Sequence, residues 1–70
     1  MANNETYTFK AGDIAVLSNG KRFEVLESSD GELIYQTVDA QNRATGNPTE
    51  ITPDKFSSMV ATNIERVISI

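Results

Sequence analysis

The sequence predicts a mainly β domain (β-rich α+β), namely a small barrel or curled antiparallel sheet of about five strands with one short helix before the last strand. Turn signals containing glycine separate the early β-prone runs. Apolar residues in these runs alternate or adjoin instead of recurring at helical spacing. One helix-start pattern occurs, near residue 52. Seventy residues provide one core, so we expect a single domain at residues 7–70 after a disordered tail at 1–6.

A short β-prone run at residues 7–9 precedes the first predicted turn. Gly12 can adopt a positive φ without steric cost, and the Asp13 carboxylate can bond the backbone that follows it. The apolar run Ile14–Leu17 then predicts a strand. The Asn-Gly pair at 19–20 predicts a tight hairpin turn after that strand.

The next two strands are predicted to pack against a core. Within residues 21–27, Phe23 and Val25 alternate with charged side chains, which predicts one apolar face. A polar turn at 28–31 leads to a third strand, Leu33–Val38, with apolar residues at both odd and even positions. We expect this strand to be half-covered on both faces, as happens where a sheet curls.

The polar segment at residues 39–48, called the polar loop, predicts a loop or an irregular hairpin before a short strand at 49–52. Thr52 then has the properties of a helix N-cap and is followed by a proline. An apolar stripe of Phe56, Met59 and Val60 predicts a helix of about two turns. We expect Asn63 to end it in a left-handed conformation.

The last predicted strand, Ile64–Ile70, is apolar almost to its end. An uncovered strand edge readily pairs with another strand. We therefore expect this strand either to close the barrel or to form a homodimer.

The residue types that are absent exclude several kinds of function. The chain contains no cysteine, histidine or tryptophan. The usual zinc, haem and iron-sulfur ligand sets and the Ser-His-Asp and Cys-His nucleophile systems therefore cannot form. The acids Glu27, Asp30 and Glu32 supply too few oxygens for a calcium loop and are interpreted as a solvated hairpin tip. We expect a binding protein, not an enzyme, without cofactor or metal.

Residues 1–6 contain no secretory signal, and no run approaches the roughly 20 apolar residues of a membrane span. We expect a water-soluble, cytoplasmic protein without a membrane partner.

The charge balance favours a protein partner. Ten acidic residues oppose six basic ones, for a net charge of −4, and nucleic-acid binding relies on clustered bases. The predicted binding surface is the polar loop together with the one adjacent pair of bases. Its residues are Gln41, Asn42, Arg43, Thr45, Asn47, Lys21 and Arg22.

Two alternatives remain open. Lys10, Lys21 and Arg22 could form a basic face that binds nucleic acid. The domain could instead bind a small metabolite, which would raise its melting temperature.

The segment from Phe9 to Gly20, Phe-Lys-Ala-Gly-Asp-Ile-Ala-Val-Leu-Ser-Asn-Gly, resembles the opening of small SH3-like proteins of the YodC-like sort in bacteria and phages. Those proteins begin with Phe-Lys-x-Gly-Asp, an alternating apolar strand and a glycine turn. The resemblance covers about the first third of the chain and implies an SH3-like barrel. From the excluded chemistries and the acidic charge balance, we expect an accessory protein encoded by a phage or mobile element and acting on a host protein surface.

Overall fold

The computed structural model describes residues 8–69. Its elements, in chain order, are the strands β1 Asp13–Leu17, β2 Arg22–Ser28, β3 Leu33–Val38 and β4 Thr49–Ile51, the helix α1 Pro53–Ala61 and the strand β5 Ile64–Ser69. The expected tail at 1–6 lies outside the described residues, as do Tyr7 and Ile70.

All five strands form one antiparallel sheet in the order β4-β3-β2-β1-β5. Consecutive strands β1 to β4 pair as neighbours, and β5 returns after α1 to pair with β1. The predicted mainly β fold with one short helix before the last strand is confirmed. Within residues 8–69, β4 and β5 are not hydrogen-bonded to each other, so the sheet stays open between these two edges.

The strand registers give the sheet two ends with different contents. Arg22 pairs with Val38 and Leu17 with Ile64, so these strand ends lie together beside the polar loop. We call this the loop end. At the other end, Leu33 pairs with both Ser28 and Ile51, close to the β2–β3 turn and the start of α1. We call this the turn end.

The larger hydrophobic core lies on the sheet face that α1 covers, because the helix contributes its two fully buried apolar side chains, Phe56 and Val60. The buried residues that pack with them are Phe9, Ala15, Leu17, Val25 and Leu33. Phe23 and Tyr35 are half-buried against the same cluster. The predicted inward face of β2, formed by Phe23 and Val25, is confirmed.

A second, smaller cluster lies on the opposite face of the sheet. Ile14, Val16 and Val38 are buried there, with Ile68 packed against them. The third strand therefore contributes to both faces, since Leu33 belongs to the larger core and Val38 to the smaller one.

The expected apolar stripe of the helix is wrong at Met59, which is 38% exposed, whereas Ser57 is buried. Each helical residue advances by about 100° around the axis. The face that contacts the sheet is centred between Phe56, Ser57 and Val60, so Met59 lies well to one side of it.

Both ends of α1 are fixed by hydrogen bonds. The hydroxyl oxygen of Thr52, the N-cap, accepts a bond from the Lys55 amide at 3.3 Å. The expected left-handed conformation of Asn63 is wrong, because Asn42 is the one non-glycine residue between 8 and 69 with a positive φ. The Asn63 amide instead donates to the Val60 carbonyl at 3.1 Å, which tightens the last turn.

The turns around β1 adopt the predicted glycine conformations, with φ of 99° at Gly12 and 90° at Gly20. The partners of the buried Asp13 carboxylate differ from the expected following backbone. Its oxygens accept bonds from the preceding Lys10 amide at 3.1 Å and from the Ser69 hydroxyl at 2.9 Å. Asp13 thus joins the start of β1 to the end of β5.

Candidate functional site

The first half of the polar loop is organised around Asp39. One oxygen of its carboxylate, Oδ1, accepts bonds from the amides of Gln41 and Arg43, each at 2.9 Å. The Asp39 amide donates to the Arg43 carbonyl at 2.9 Å, and the Asn42 amide donates to the Asp39 carbonyl at the same distance. These bonds close a tight turn with Asn42 at φ 65°, a conformation that asparagine tolerates.

The second half of the loop is tied to β3. Ala44 forms an isolated antiparallel bridge with Val38, and the Thr45 amide donates to the Thr37 carbonyl at 2.9 Å. A Cβ added at Gly46 would lie 2.6 Å from Thr37 Oγ1. The loop therefore approaches β3 as closely as only glycine allows, and it is an irregular hairpin with a defined backbone.

Arg22 connects the sheet to this loop. Its Nη1 donates to Asn42 Oδ1 at 3.2 Å, and its partner in register is Val38, the last residue before the loop. Lys21 is exposed and directly precedes Arg22. A hydrogen bond thus joins the polar loop to Arg22, one of the two adjacent basic residues of the predicted surface.

The side chains of the loop remain available at the surface. Gln41, Arg43, Thr45 and Asn47 are all exposed. Within residues 8–69, no hydrogen bond or ion pair engages the side chains of Gln41 and Arg43, whose backbone amides are used by Asp39. A rigid backbone with free amide and guanidinium groups is suited to recognition.

Arg66 belongs to the same surface, and sequence reasoning missed it. Val16 pairs with Arg22 on one side and with Arg66 on the other, so the two arginines flank it on one face of the sheet. Their positions differ by 44 in the sequence and become neighbours only through the pairing of β1 with β5. No local signal identifies this relation.

The two ends of the sheet differ in charge. The bases near the loop end are Lys21, Arg22, Arg43 and Arg66, with two acids, Asp39 and Glu65. The carboxylate of Asp39 is occupied by backbone amides. Around the turn end lie Asp13, Glu27, Asp30, Glu32, Glu50 and Asp54, with Lys10 and Lys55. An overall acidic chain therefore has one end in which bases outnumber acids.

The acids at the turn end interact across strands. A hydrogen bond between Glu32 and Glu50, followed by repulsion from the Glu50 carboxylate, raises the pKa of Glu32 above its ordinary value. Glu27 adds a smaller repulsion. Among the described residues, no three acidic side chains converge closely enough to hold a metal ion.

Lys10 lies away from Lys21 and Arg22. It precedes β1, while Lys21 faces the last residue of that strand, Leu17, through a backbone bond of 2.8 Å. The five residues of β1 separate the two bases by roughly 13 Å or more at about 3.3 Å a residue. The structure therefore places Lys10 at the opposite end of β1 from Lys21 and Arg22.

An open groove of about 380 Å³ lies between the β2–β3 turn and the start of α1. Ser29, Asp30, Asp54 and Ser57 are among its lining residues. It is partly open to solvent, acidic and rich in hydroxyl groups, and it contains none of the residues predicted to bind a partner.

No helix within residues 8–69 has the length and apolar character needed to cross a bilayer. Comparison of the chain with protein-family models, with curated proteins and with solved structures finds no significant match.

Proposed function

We propose that this protein is a non-enzymatic accessory module that binds another protein through the loop end of its sheet. The binding surface consists of the exposed polar-loop residues, the bases Lys21 and Arg22, and Arg66. The observation that carries the proposal is the bond between Arg22 and Asn42, which joins the sheet to a loop already held by Asp39.

The chemistry of this surface favours a partner with exposed carboxylates. Arg43 and Arg66 are exposed, and a guanidinium group binds a carboxylate through two parallel hydrogen bonds. The free amide of Gln41 can both donate and accept, as peptide groups of a partner require. Preorganisation by Asp39 lowers the entropy lost when a partner orders the loop.

A protein partner is favoured over nucleic acid for two reasons. The net charge of −4 opposes a polyanion at long range. Single-stranded nucleic acid also needs aromatic stacking platforms, whereas Phe23, Tyr35 and Phe56 pack against one another in the core. Nucleic-acid binding at the loop end remains the alternative that the experiment below distinguishes.

We further propose that the fold is an SH3-like barrel related to the YodC-like proteins, and that the module acts on a host protein for a phage or mobile element. Support comes from the glycine turns around β1, at Gly12 and Gly20, within the resembling segment. The return of β5 to pair with β1 is also the connectivity that a small barrel uses.

The test compares three immobilised baits in native lysate: the unchanged protein, Arg43→Glu and Lys55→Glu. Both substitutions replace an exposed base by an acid and lower the net charge equally. Lys55 lies at the start of α1, outside the proposed surface. We expect a protein that is retained by the unchanged and Lys55→Glu baits and lost by at least tenfold from Arg43→Glu, about 1.4 kcal/mol in binding free energy.

The same three proteins are titrated with single-stranded and duplex oligonucleotides over a salt series. Oligonucleotide binding that weakens steeply with salt and is lost in Arg43→Glu would support the nucleic-acid alternative and contradict the protein-binding proposal. Capture that is insensitive to Arg43→Glu would contradict the loop end as the binding surface.

A further inference from the structure

The turn between β1 and β2 contains the one Asn-Gly pair of the chain, Asn19 and Gly20. Both residues are exposed. The Gly20 amide donates to the Leu17 carbonyl at 3.0 Å, which closes the turn, and Gly20 has a φ of 90°. The turn lies at the loop end, directly before Lys21 and Arg22. A side-chain carboxamide is therefore placed beside the proposed binding surface.

The side chain of Asn19 is folded over the peptide that follows it. Its Oδ1 accepts a hydrogen bond from the Lys21 amide at 3.0 Å. The ring closed by this bond contains both Asn19 Cγ and the Gly20 nitrogen, so the bond holds the carboxamide carbon near that nitrogen. Attack of the nitrogen on Cγ would develop negative charge on Oδ1, where the Lys21 amide already donates. A donor fixed at the position of developing charge lowers the barrier to such an attack.

Gly20 leaves the approach to its nitrogen unobstructed. A Cβ added at Gly20 would meet no heavy atom within 4 Å, and glycine has no side chain of its own to crowd its backbone nitrogen. The bond to the Leu17 carbonyl opposes the attack, because the Gly20 amide must leave it. One neutral hydrogen bond in an exposed turn slows such a step by a factor of about ten at most.

We propose that Asn19 is a site of spontaneous deamidation. The Gly20 nitrogen gives up its proton to hydroxide and forms a bond to Asn19 Cγ. The bond from Cγ to Nδ2 then breaks, and this nitrogen takes up a proton and leaves as ammonia. The product is a cyclic succinimide. Water opens the ring at either carbonyl, which yields aspartate at this position or isoaspartate, in which the backbone runs through the former side chain.

Two other asparagines of the described chain lack an accessible nitrogen after them. Asn47 precedes Pro48, which has no backbone N–H to react. Asn63 precedes Ile64, whose branched Cβ crowds its backbone nitrogen.

Asn42 differs in how firmly the next nitrogen is held. The Arg43 amide donates to the Asp39 carboxylate at 2.9 Å. A hydrogen bond to a charged acceptor is roughly twice as strong as one between neutral groups, so this nitrogen is less free to attack than that of Gly20.

Deamidation would change the charge of the loop end, because either product carries a new carboxylate. Four bases against two acids there become four against three. The new charge lies two residues before Lys21. This consequence rests on the proposed function: an acidic partner should bind the modified protein roughly two- to fivefold more weakly, the scale of one exposed charge contact.

Mass spectrometry of proteolytic peptides from the incubated full chain tests the modification itself. A carboxyl group in place of the carboxamide raises the mass of the peptide that contains position 19. We expect Asn19 to be modified at least about tenfold faster than Asn42 and Asn63. The rate should rise from neutral to mildly alkaline pH, because the Gly20 amide must lose a proton. Equal rates at the three asparagines would overturn the proposal.

The same measurement in guanidinium chloride separates the sequence pair from the folded turn. Unfolding removes the Lys21 bond that favours the attack and the Leu17 bond that opposes it. The rate at Asn19 in the folded protein should therefore stay within about tenfold of the rate in the unfolded chain. Greater protection in the folded protein would mean that the turn shields Asn19, contrary to the proposal.

Asn19→Asp reproduces the aspartate product, and Asn19→Ser is its neutral control, since aspartate and serine both suit such turns. Circular dichroism verifies that both variants are folded. As baits in native lysate, Asn19→Ser should retain the partner like the unchanged protein, and Asn19→Asp should retain roughly two- to fivefold less. Equal retention by the two variants would contradict the effect on binding. If the unchanged bait captures no partner that is sensitive to Arg43→Glu, the proposed function and this effect fail together, whereas mass spectrometry still decides the modification.

Discussion

Phe56 is the side chain around which the larger core is arranged. It is fully buried, and its ring centroid lies 5.0 Å from that of Phe9 and 5.1 Å from that of Tyr35. Phe23 follows at 6.3 Å. Edge-to-face and tilted contacts of this kind add to the stabilisation that apolar burial provides.

Replacing Phe56 with alanine should therefore lower the free energy of unfolding by about 3–5 kcal/mol, through lost burial and the cavity left behind. Met59→Ala, on the same helix but on its exposed side, should cost less than about 1 kcal/mol. Urea denaturation followed by circular dichroism measures both. Similar losses for the two variants would mean that α1 packs through a different face.

Glu32 gives the protein a pH-dependent stability of known sign. Its pKa is raised in the folded state, first by the hydrogen bond with Glu50 and then by repulsion from it. The folded state therefore holds this proton more tightly than the unfolded state. The raised pKa therefore lowers the free energy of unfolding when Glu32 is ionised. This loss of stability is absent below the unfolded pKa of about 4.5, grows as the pH rises through the folded pKa, and is complete above it.

Glu50→Gln removes the repulsion, so it should melt at a slightly higher temperature than the unchanged protein at pH 7. The two melting curves should coincide near pH 3, where Glu32 is protonated in both states. Glu65→Gln is the matched control, since it removes another exposed acid from the opposite edge of the sheet. An equal gain in both variants would assign the effect to net charge alone.

At the scale of elements, the strands and turns were predictable because their signals are local. The Asn-Gly pair at 19–20 fixes a hairpin, and the Thr52-Pro53 pair starts a helix, without reference to the rest of the chain. The face of α1 was harder to predict. Met59 has the right spacing for the apolar stripe, but the small Ser57 is buried instead because the sheet contacts that side.

The candidate site was also predictable only in part, because some of its residues come together only through strand pairing. The composition of the polar loop and the adjacent pair Lys21 and Arg22 are visible in the sequence. Arg66 joins them through the β1–β5 pairing, and Glu50 meets Glu32 through the β3–β4 pairing. These relations depend on strand order, which local patterns do not encode.

The first half of the polar loop is organised around one carboxylate, that of Asp39. Asp39→Ala removes the acceptor of the Gln41 and Arg43 amides and should leave the sheet intact while loosening the loop. Amide hydrogen exchange should accelerate about tenfold or more at these two amides, since each loses a charge-assisted bond. Asp30→Ala, an exposed acid in the β2–β3 turn, is the control. Unchanged exchange in Asp39→Ala would contradict the loop's architecture.

For the whole molecule, the separation between its two charged ends matters more than the net charge. The seven residues of β2 span the distance between the loop end and the turn end, roughly 20 Å at about 3.3 Å a residue. The Debye length is about 8 Å at 0.15 M salt and about 30 Å at 0.01 M. At physiological salt, the charges of the acidic turn end are thus screened from a partner at the loop end. At low salt, their repulsion reaches that partner.

This separation leads to a prediction about association kinetics. Glu32→Gln should accelerate binding of an acidic partner, captured as described above, at 0.01 M salt but not at 0.15 M, because it weakens a repulsion that acts only when screening is poor. Arg43→Glu should slow binding at both salt concentrations, since the partner contacts that position directly. Stopped-flow measurements give the two association rates. If Glu32→Gln changes the rate equally at both concentrations, the partner contacts the turn end, and the binding surface has been assigned to the wrong end of the sheet.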